Sequence, residues 1–305
     1  MLAIWNPNAG KTSAARNVLS RLEQIPEAKI VRTKSSAHAA QVVRNGLEDQ
    51  IQRVVVAGGD GTINAVINGY MQVPFDFRVP LGVIPLGTAN DWCSSLAVPE
   101  EEDAALDLLK SSQSVLIDVI AAKTATAVLH FANIATGGNS HRVTESITSE
   151  QKQMWGALCY LRGSLGILAD LDSFQTRIAF NGGQEELFDT WNIIVANGRT
   201  SAGKLAVAPR AELNDGLLDV VIIKAGTLLD IAAISIQYAA DAYAEAEQIE
   251  YRKAKWIRIR SEPPLHFSID GDLLENQPIE FHIVPAALPV IVGETACIQQ
   301  SIATP

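Results

Sequence analysis

At 305 residues the chain is long enough for two domains of ordinary size, and 48% hydrophobic against 19% charged residues marks a globular protein, not a disordered one. A formal net charge of −10 speaks against a nucleic-acid binder and against wholesale electrostatic docking on an anionic membrane, although a local basic patch could persist inside an acidic protein. Cys93, Cys159 and Cys297 are far apart and fit no metal or disulfide spacing, so a reduced, cytoplasmic compartment is expected.

Met1 to Asn6 lacks the charged start and long apolar core of a signal peptide and reads as a first strand, Leu2 to Trp5. It runs into Asn6-Pro7-Asn8-Ala9-Gly10-Lys11-Thr12, where Gly10-Lys11-Thr12 suggests a P-loop. That motif needs a glycine where this chain has Trp5, so a Walker-type NTPase is not expected. A helix follows from Ser13 to Gln24, with Ala14, Val18, Leu19 and Leu22 on one face. Lys29 to Thr33 reads as a second strand and Ala37 to Glu48 as a second helix.

Val54 to Ala57 is a short, buried strand, ended by Gly58-Gly59-Asp60-Gly61-Thr62-Ile63-Asn64. Gly58 and Gly59 leave a loop that a ligand can approach closely. Thr62 can cap the next helix, where Ile63, Val66, Ile67 and Tyr70 recur at helical spacing. Strand, glycine turn and helix N-terminus together suit a phosphate, and Asp60 suits a proton or a phosphate-bound Mg2+. The plain alternative is a tight turn whose glycines only serve geometry. Pro80 to Pro85 is another buried strand, ending in Leu86-Gly87-Thr88-Ala89-Asn90-Asp91-Trp92. There Thr88 offers a hydroxyl to a phosphate and Asp91 sits in a helix's first turn, though either could simply cap it. Alternating strands and helices imply a mainly parallel sheet whose ligands sit at the strands' carboxyl ends, so Asn6, Thr33, Gly58 and Gly87 can share one crevice.

Pro99 to Ser111 holds one more helix, after which short β-rich runs dominate: 115–121, 127–135, 176–180, 191–196, 217–223, 256–260, 265–269 and 279–284. This is the pattern of an antiparallel, sandwich-like sheet pair. Two helices interrupt it, Glu150 to Leu171 and Thr227 to Glu247, the second opened by a Thr227/Asp230 capping box. Leu228 to Ala244 is broken by Asp230, Gln237 and Asp241 and falls short of the ~20 clean residues of a membrane span. The expected architecture is an α/β domain over 1–116, joined by a return of 288–305, and a β-rich domain over 117–287.

The strings Asn6-Pro7-x-x-Gly10-Lys11, Gly58-Gly59-Asp60-Gly61-Thr62 and Pro85-x-Gly87-Thr88-x-Asn90-Asp91 together resemble the diacylglycerol kinase catalytic-domain family, which includes sphingosine and ceramide kinases and bacterial lipid kinases. NAD kinases and phosphofructokinases share the second string, but NAD kinases lack the third. The resemblance implies an ATP- and Mg2+-dependent lipid kinase working cytoplasmically, peripheral on the inner membrane face, with room for a homodimer. It implies a nucleotide held by Asn6, Pro7, Asn8, Ala9, Gly10, Lys11, Arg16, Thr33, Gly58 to Asn64, Gly87, Thr88 and Asp91. In bacterial members an Asp-Gly turn holds a structural Mg2+, which carries over to Glu212, Asp215 and Leu217; a plain Asn-Asp-Gly hairpin turn is the alternative. The family's late Asp-Gly-Glu is here Asp270-Gly271-Asp272, and the base is left open among Asp60, Asp270 and Asp272. Ala65, where the family usually has glutamate, and Ser140, where an acidic residue is common, are departures. Lys152, Gly156 and Tyr160 fit the family's cover over the site. A NAD kinase, a kinase of soluble substrates and a catalytically silent binding module remain as rivals.

Overall fold

The computed structural model describes residues 1–9, 13–49, 51–111, 113–139, 171–227, 229–230, 233–234, 237, 242–269, 272–274 and 278–299. Gly10, Lys11, Ser140, Lys152, Gly156, Tyr160, Asp270 and most of the expected helix from Glu150 to Leu171 lie outside them.

The first part alternates strand and helix: β1 (Leu2–Trp5), α1 (Ser13–Glu23), β2 (Lys29–Arg32), α2 (Ser36–Glu48), β3 (Val54–Gly58), α3 (Asp60–Tyr70), β4 (Leu81–Pro85), α4 (Asp91–Ser95) and α5 (Glu102–Leu108). Strands β2, β1, β3 and β4 lie side by side and parallel. Val54 to Gly58 and Leu81 to Pro85 are buried throughout, as strands covered on both faces must be. Leu2, Ile4, Val54 and Val56 face α2 and α3, whereas Ala3, Trp5, Val55 and Ala57 face α1 and α5. Alternation along each strand sends successive side chains into these two apolar layers.

The second part is strand-rich: β5 (Val115–Lys123), β6 (Val128–Phe131), β7 (Ile134–Gly138), β8 (Phe174–Phe180), β9 (Glu185–Ala196), β10 (Thr200–Ser201), β11 (Leu205–Ala206), β12 (Leu218–Lys224), β13 (Ile249–Ala254), β14 (Trp256–Glu262), β15 (Phe267–Ile269), β16 (Asp272–Leu274) and β17 (Ile279–Val290). Its strands surround one apolar core that includes Ile120, Phe131, Ile193, Val220, Ile257, Phe267 and Phe281. Long β17 joins the two parts. Its first half pairs with β14, Val290 pairs parallel to Leu81 of β4, and β5 runs antiparallel along it, with a bulge between Val284 and Leu288.

Three local readings change. The run 127–135 is two strands, because the chain changes partner at Ala132-Asn133: β6 pairs with β5, β7 with β9, and the Asn133 carbonyl accepts the N–H groups of Asn197 and Gly198. The Thr227/Asp230 box forms, with Asp230 Oδ2 accepting the Thr227 N–H at 2.6 Å. Its helix does not extend to Glu247, because Tyr243–Glu245 is a short 3-10 turn whose Tyr243, with Ala246 and Ile249, enters the core beside β12, and β13 starts at Ile249. Thr62 is not a cap: α3 begins at Asp60 after Gly59, and Thr62 lies inside the first turn.

Candidate active site

The loops that follow β1, β2, β3 and β4 are stitched to one another at the sheet's carboxyl edge. Asn6 N–H donates to the Ala57 carbonyl at 3.1 Å, Thr33 N–H to Trp5 at 2.8 Å, and Leu86 N–H to Gly58 at 3.0 Å. Asn6 then ties the first loop to the third, its Nδ2 donating to Thr62 Oγ1 at 2.7 Å, while its Oδ1 accepts the Asn8 N–H at 2.9 Å. Asn6, Asn8, Thr33 and Thr62 line one cleft with Lys34, Ser35, Ser36 and Ala39. The last four were not read as site residues. They bring the N-terminus of α2, capped by Ser35 Oγ accepting the His38 N–H, to the same place as the N-terminus of α3. The signal was present, since Thr33-Lys34-Ser35-Ser36 is a strand end followed by a capping serine.

The two glycine loops touch each other. A Cβ on Gly59 would stand 3.0 Å from the Gly87 Cα, so this glycine lets the neighbouring loop approach closely. Gly61 is the one with open space around its missing side chain. Asn90 holds the Gly87 loop in shape. It adopts a left-handed conformation (φ 51°) that asparagine tolerates, and its side chain both accepts the Gly87 N–H and donates to the Gly87 carbonyl, each at 2.9 Å.

Asp60 stands where the helix starts converge. It opens α3, and the backbone N–H groups of Asn90 and Trp92, at the start of α4, also favour its charged form. Burial outweighs them: desolvation first, then the nearby Asp91 charge, raise its carboxyl above the usual carboxylate range. Its Oδ1 is buried and has no hydrogen-bond partner among the described residues. An acidic oxygen left unpaired at the joint of two helix N-termini is what a cation or a hydroxyl proton requires. Cys93, in the next turn, is a buried thiol pushed up by burial and by Asp60.

Asp91 has a different task. Its carboxylate accepts the N–H of Gly203 at 3.0 Å and of Lys204 at 2.7 Å, and its carbonyl accepts Thr200 Oγ1 at 2.9 Å. Ala202, Gly203 and Lys204 all have positive φ (53°, 89° and 71°), a turn that aims successive N–H groups at one anion. Asp91 is that anion, and it latches the β10–β11 hairpin of the second part to the first. Asn68 makes a second latch, with its Nδ2 donating to the His130 carbonyl at 2.8 Å and its Oδ1 accepting the His130 N–H at 3.1 Å. The helix that begins with Asp60 is thereby fixed to β6.

Several expected contacts take other places. Ile63 is buried in the core and its N–H donates to the Gly59 carbonyl, so its side chain meets no ligand. Thr33 lines the cleft, but its hydroxyl donates to the Trp5 carbonyl at 3.2 Å. Asn64 accepts from Asn68. Ala65 packs into the core. Arg16, Pro7 and Thr88 are exposed, and Ala9 is half-buried beside the α1 layer. Asp272 opens β16 opposite Ile269. Glu212, Asp215 and Leu217 lie between β11 and β12, and Asp215 meets Lys253 there, Oδ2 to Nζ 2.6 Å. Among the described residues no group of three or more His, Cys, Asp or Glu side chains is arranged to hold a metal.

Residues 1–122 match the diacylglycerol kinase catalytic domain, and residues 132–292 match the YegS C-terminal NAD kinase beta sandwich-like domain. A diacylglycerol kinase of Bacillus subtilis is 29% identical over 288 residues, 91% of each chain. A protein of Chromohalobacter salexigens named probable lipid kinase YegS-like is 27% identical over 294 residues, 95% of this chain and 92% of its own. The crystal structure of a diacylglycerol kinase from Bacillus anthracis superposes with a TM-score of 0.74 at 23% identity, covering 97% of both chains. An NAD kinase from Archaeoglobus fulgidus, in complex with ATP, shares the fold at a TM-score of 0.53 and 14% identity, covering 97% of this chain and 95% of its own. With two consecutive family domains over nearly its whole length, the chain belongs to the diacylglycerol kinase-like family of phosphotransferases, within the wider superfamily that also contains the NAD kinases.

Proposed function

We propose that this protein transfers the γ-phosphoryl group of ATP, with Mg2+, to the hydroxyl of a membrane lipid such as diacylglycerol, acting in the cytoplasm with peripheral contact to the inner membrane face. One observation carries the reading: Asp60, set between two helix N-termini, keeps a buried oxygen without a hydrogen-bond partner among the described residues. The nucleotide phosphates fit the open backbone at Gly61 and the N-termini of α2 and α3, with Asn8, Thr62 and Lys34 at the cleft wall. Mg2+ fits Asp60 Oδ1, and when bound it neutralises charge on the transferring phosphate.

The protein's own contribution is positioning. Asp91 and Asn68 hold the β-rich part against the nucleotide-binding part, so the acceptor enters between surfaces of fixed separation. Asp60 in its raised-pKa form can also take the acceptor's proton, but one oxygen cannot bind a cation and a proton together. If Mg2+ takes Asp60, the base falls to Asp270 or Asp272.

The test is transfer of γ-labelled phosphate from ATP with Mg2+ into mixed micelles of diacylglycerol, phosphatidylglycerol, ceramide and sphingosine, with NAD offered in the same reaction, beside an Asp60→Asn control. A labelled lipid that disappears in the control supports the reading and names the acceptor. Label on NAD and on no lipid, or ATP binding without any labelled product, overturns it.

A further inference from the structure

The Asn-Asp-Gly turn, where the family resemblance puts a structural Mg2+ on Glu212, Asp215 and Leu217, already contains a positive charge. Lys253 on β13 lies directly across from Asp219 on β12, an antiparallel register that points both side chains to the same face. Its Nζ stands 2.6 Å from Asp215 Oδ2 and 3.6 Å from Asp219 Oδ1. The second oxygen of Asp215 accepts the Leu217 N–H at 2.9 Å, so both oxygens of this carboxylate, whose side chain is only 3% exposed, have donors. Asp219 Oδ1 also accepts the Tyr251 hydroxyl at 2.8 Å, while its Oδ2 is buried and unpaired. Two backbone groups of the turn are engaged as well. The Gly216 N–H goes to Asp118 Oδ2 at 2.7 Å, and the Leu213 carbonyl accepts the Asp118 N–H at 2.8 Å.

A divalent ion that took Asp215 as a ligand would compete with the ammonium for the same oxygen, and two cations at that separation repel. The residues present therefore fit a lysine and not a metal. We propose that Lys253 supplies from within the chain the positive charge that a structural Mg2+ would otherwise bring to the Asp215 turn, so that this turn closes without metal.

The ammonium then ties β13 to a turn that also carries the C-terminal segment. Leu213 N–H donates to the Cys297 carbonyl at 2.8 Å, and the Asn214 side chain accepts the Gln299 N–H. Lys253 thus helps hold the returning chain end against the β-rich part. This closure bears on stability and is independent of which acceptor is phosphorylated.

It is tested on the nucleotide-free protein by thermal melting in EDTA and in millimolar Mg2+, for the wild type, Lys253→Met, Lys253→Arg and Asp215→Asn. The expected result is a wild type that melts at one temperature in both buffers. Lys253→Met, which keeps the aliphatic stem and loses the charge, then melts several degrees lower in EDTA, and Lys253→Arg stays near the wild type. A wild-type gain from Mg2+ that Asp215→Asn abolishes overturns the proposal. So does a Lys253→Met variant that melts with the wild type in both buffers. A Mg2+ gain that survives Asp215→Asn comes from another carboxylate and leaves the turn metal-free, as proposed.

Discussion

Two acidic turns, Gly59-Asp60-Gly61 and Asn214-Asp215-Gly216, end in opposite electrostatic states. Asp60 has backbone donors and the Asp91 carboxylate beside it and keeps one oxygen unpaired among the described residues, whereas Asp215 has a donor on each oxygen. Both are flanked by glycine and both lie just outside a strand. The difference comes from what the neighbouring strand presents: β4 is apolar throughout and leads into the Gly87 loop, while β13 carries an alternating Tyr251, Lys253 face. The open oxygen at Asp60 is the one the proposed chemistry uses, whereas both oxygens of Asp215 are spent on holding their turn.

The comparison is broken most severely at Asp60. Asp60→Asn should lower turnover by about 10^2–10^3-fold or more, the scale of removing one charge-organising group from an active site. The melting temperature should hold or rise slightly, because a buried charge with a raised pKa is removed. Turnover with labelled ATP and a melting curve on the same sample decide it; loss of fold in the variant would make Asp60 architectural and erase the contrast.

Asp91 sharpens the contrast because it lies beside Asp60 yet is fully engaged. Asp91→Ala leaves the N–H groups of Gly203 and Lys204 without their acceptor, a loss of about 1–3 kcal/mol for buried groups. Denaturant unfolding should show that loss, and turnover should fall with the unlatching of the β10–β11 hairpin. ATP affinity, measured separately by calorimetry, should change less than turnover. A large loss of ATP affinity with unchanged stability would return Asp91 to the nucleotide site.

Asp219, in the closed region, makes the comparison pH-dependent. Burial is the largest cause raising its carboxyl to about 6 from an ordinary 3.8, against the pull of the Tyr251 hydroxyl and Lys253. The folded state therefore keeps a proton that the unfolded chain loses, and stability falls as pH rises from about 4 to about 6. Asp219→Asn should remove that fall, with a gain over the wild type above pH 6 of at most about 3 kcal/mol from this two-unit shift. Parallel unfolding series at pH 4, 5, 6 and 7 give the answer, and two profiles of the same slope would refute it.

How much of this was legible in the sequence follows from the range of the interactions. The two strands that lead into the cleft could be read because Val54 to Gly58 and Leu81 to Pro85 are contiguous apolar runs buried on both faces. Strand β13 is absent from the expected strands because Glu250, Arg252 and Lys253 break any apolar run; its buried contribution comes from Ile249, Ala254 and the pairing with β12. Nothing local in Lys253 announces Asp215, which is 38 residues away. Asp91 shows the same limit. Its place in a motif was visible, but its partners, about 110 residues downstream, depend on three consecutive left-handed residues in a two-strand hairpin.

The smallest expected effect lies between the two loops that form the open site. Thr62→Val keeps the size and burial of the side chain but removes the acceptor of the Asn6 amide, a half-buried hydrogen bond worth about 1 kcal/mol. Asn6 still holds the Asn8 N–H through Oδ1, so its loop should keep its shape while losing its tether to α3. The cleft wall would then loosen at one point, with a few-fold rise in the KM for ATP and little change in kcat, because Asp60 and its backbone donors are untouched. Steady-state kinetics on the valine variant and on Thr62→Ser, which restores the hydroxyl, separate the tether from packing. Recovery in the serine variant assigns the effect to the hydrogen bond, and a loss in the serine variant that the valine variant does not share would assign it to the missing methyl contact.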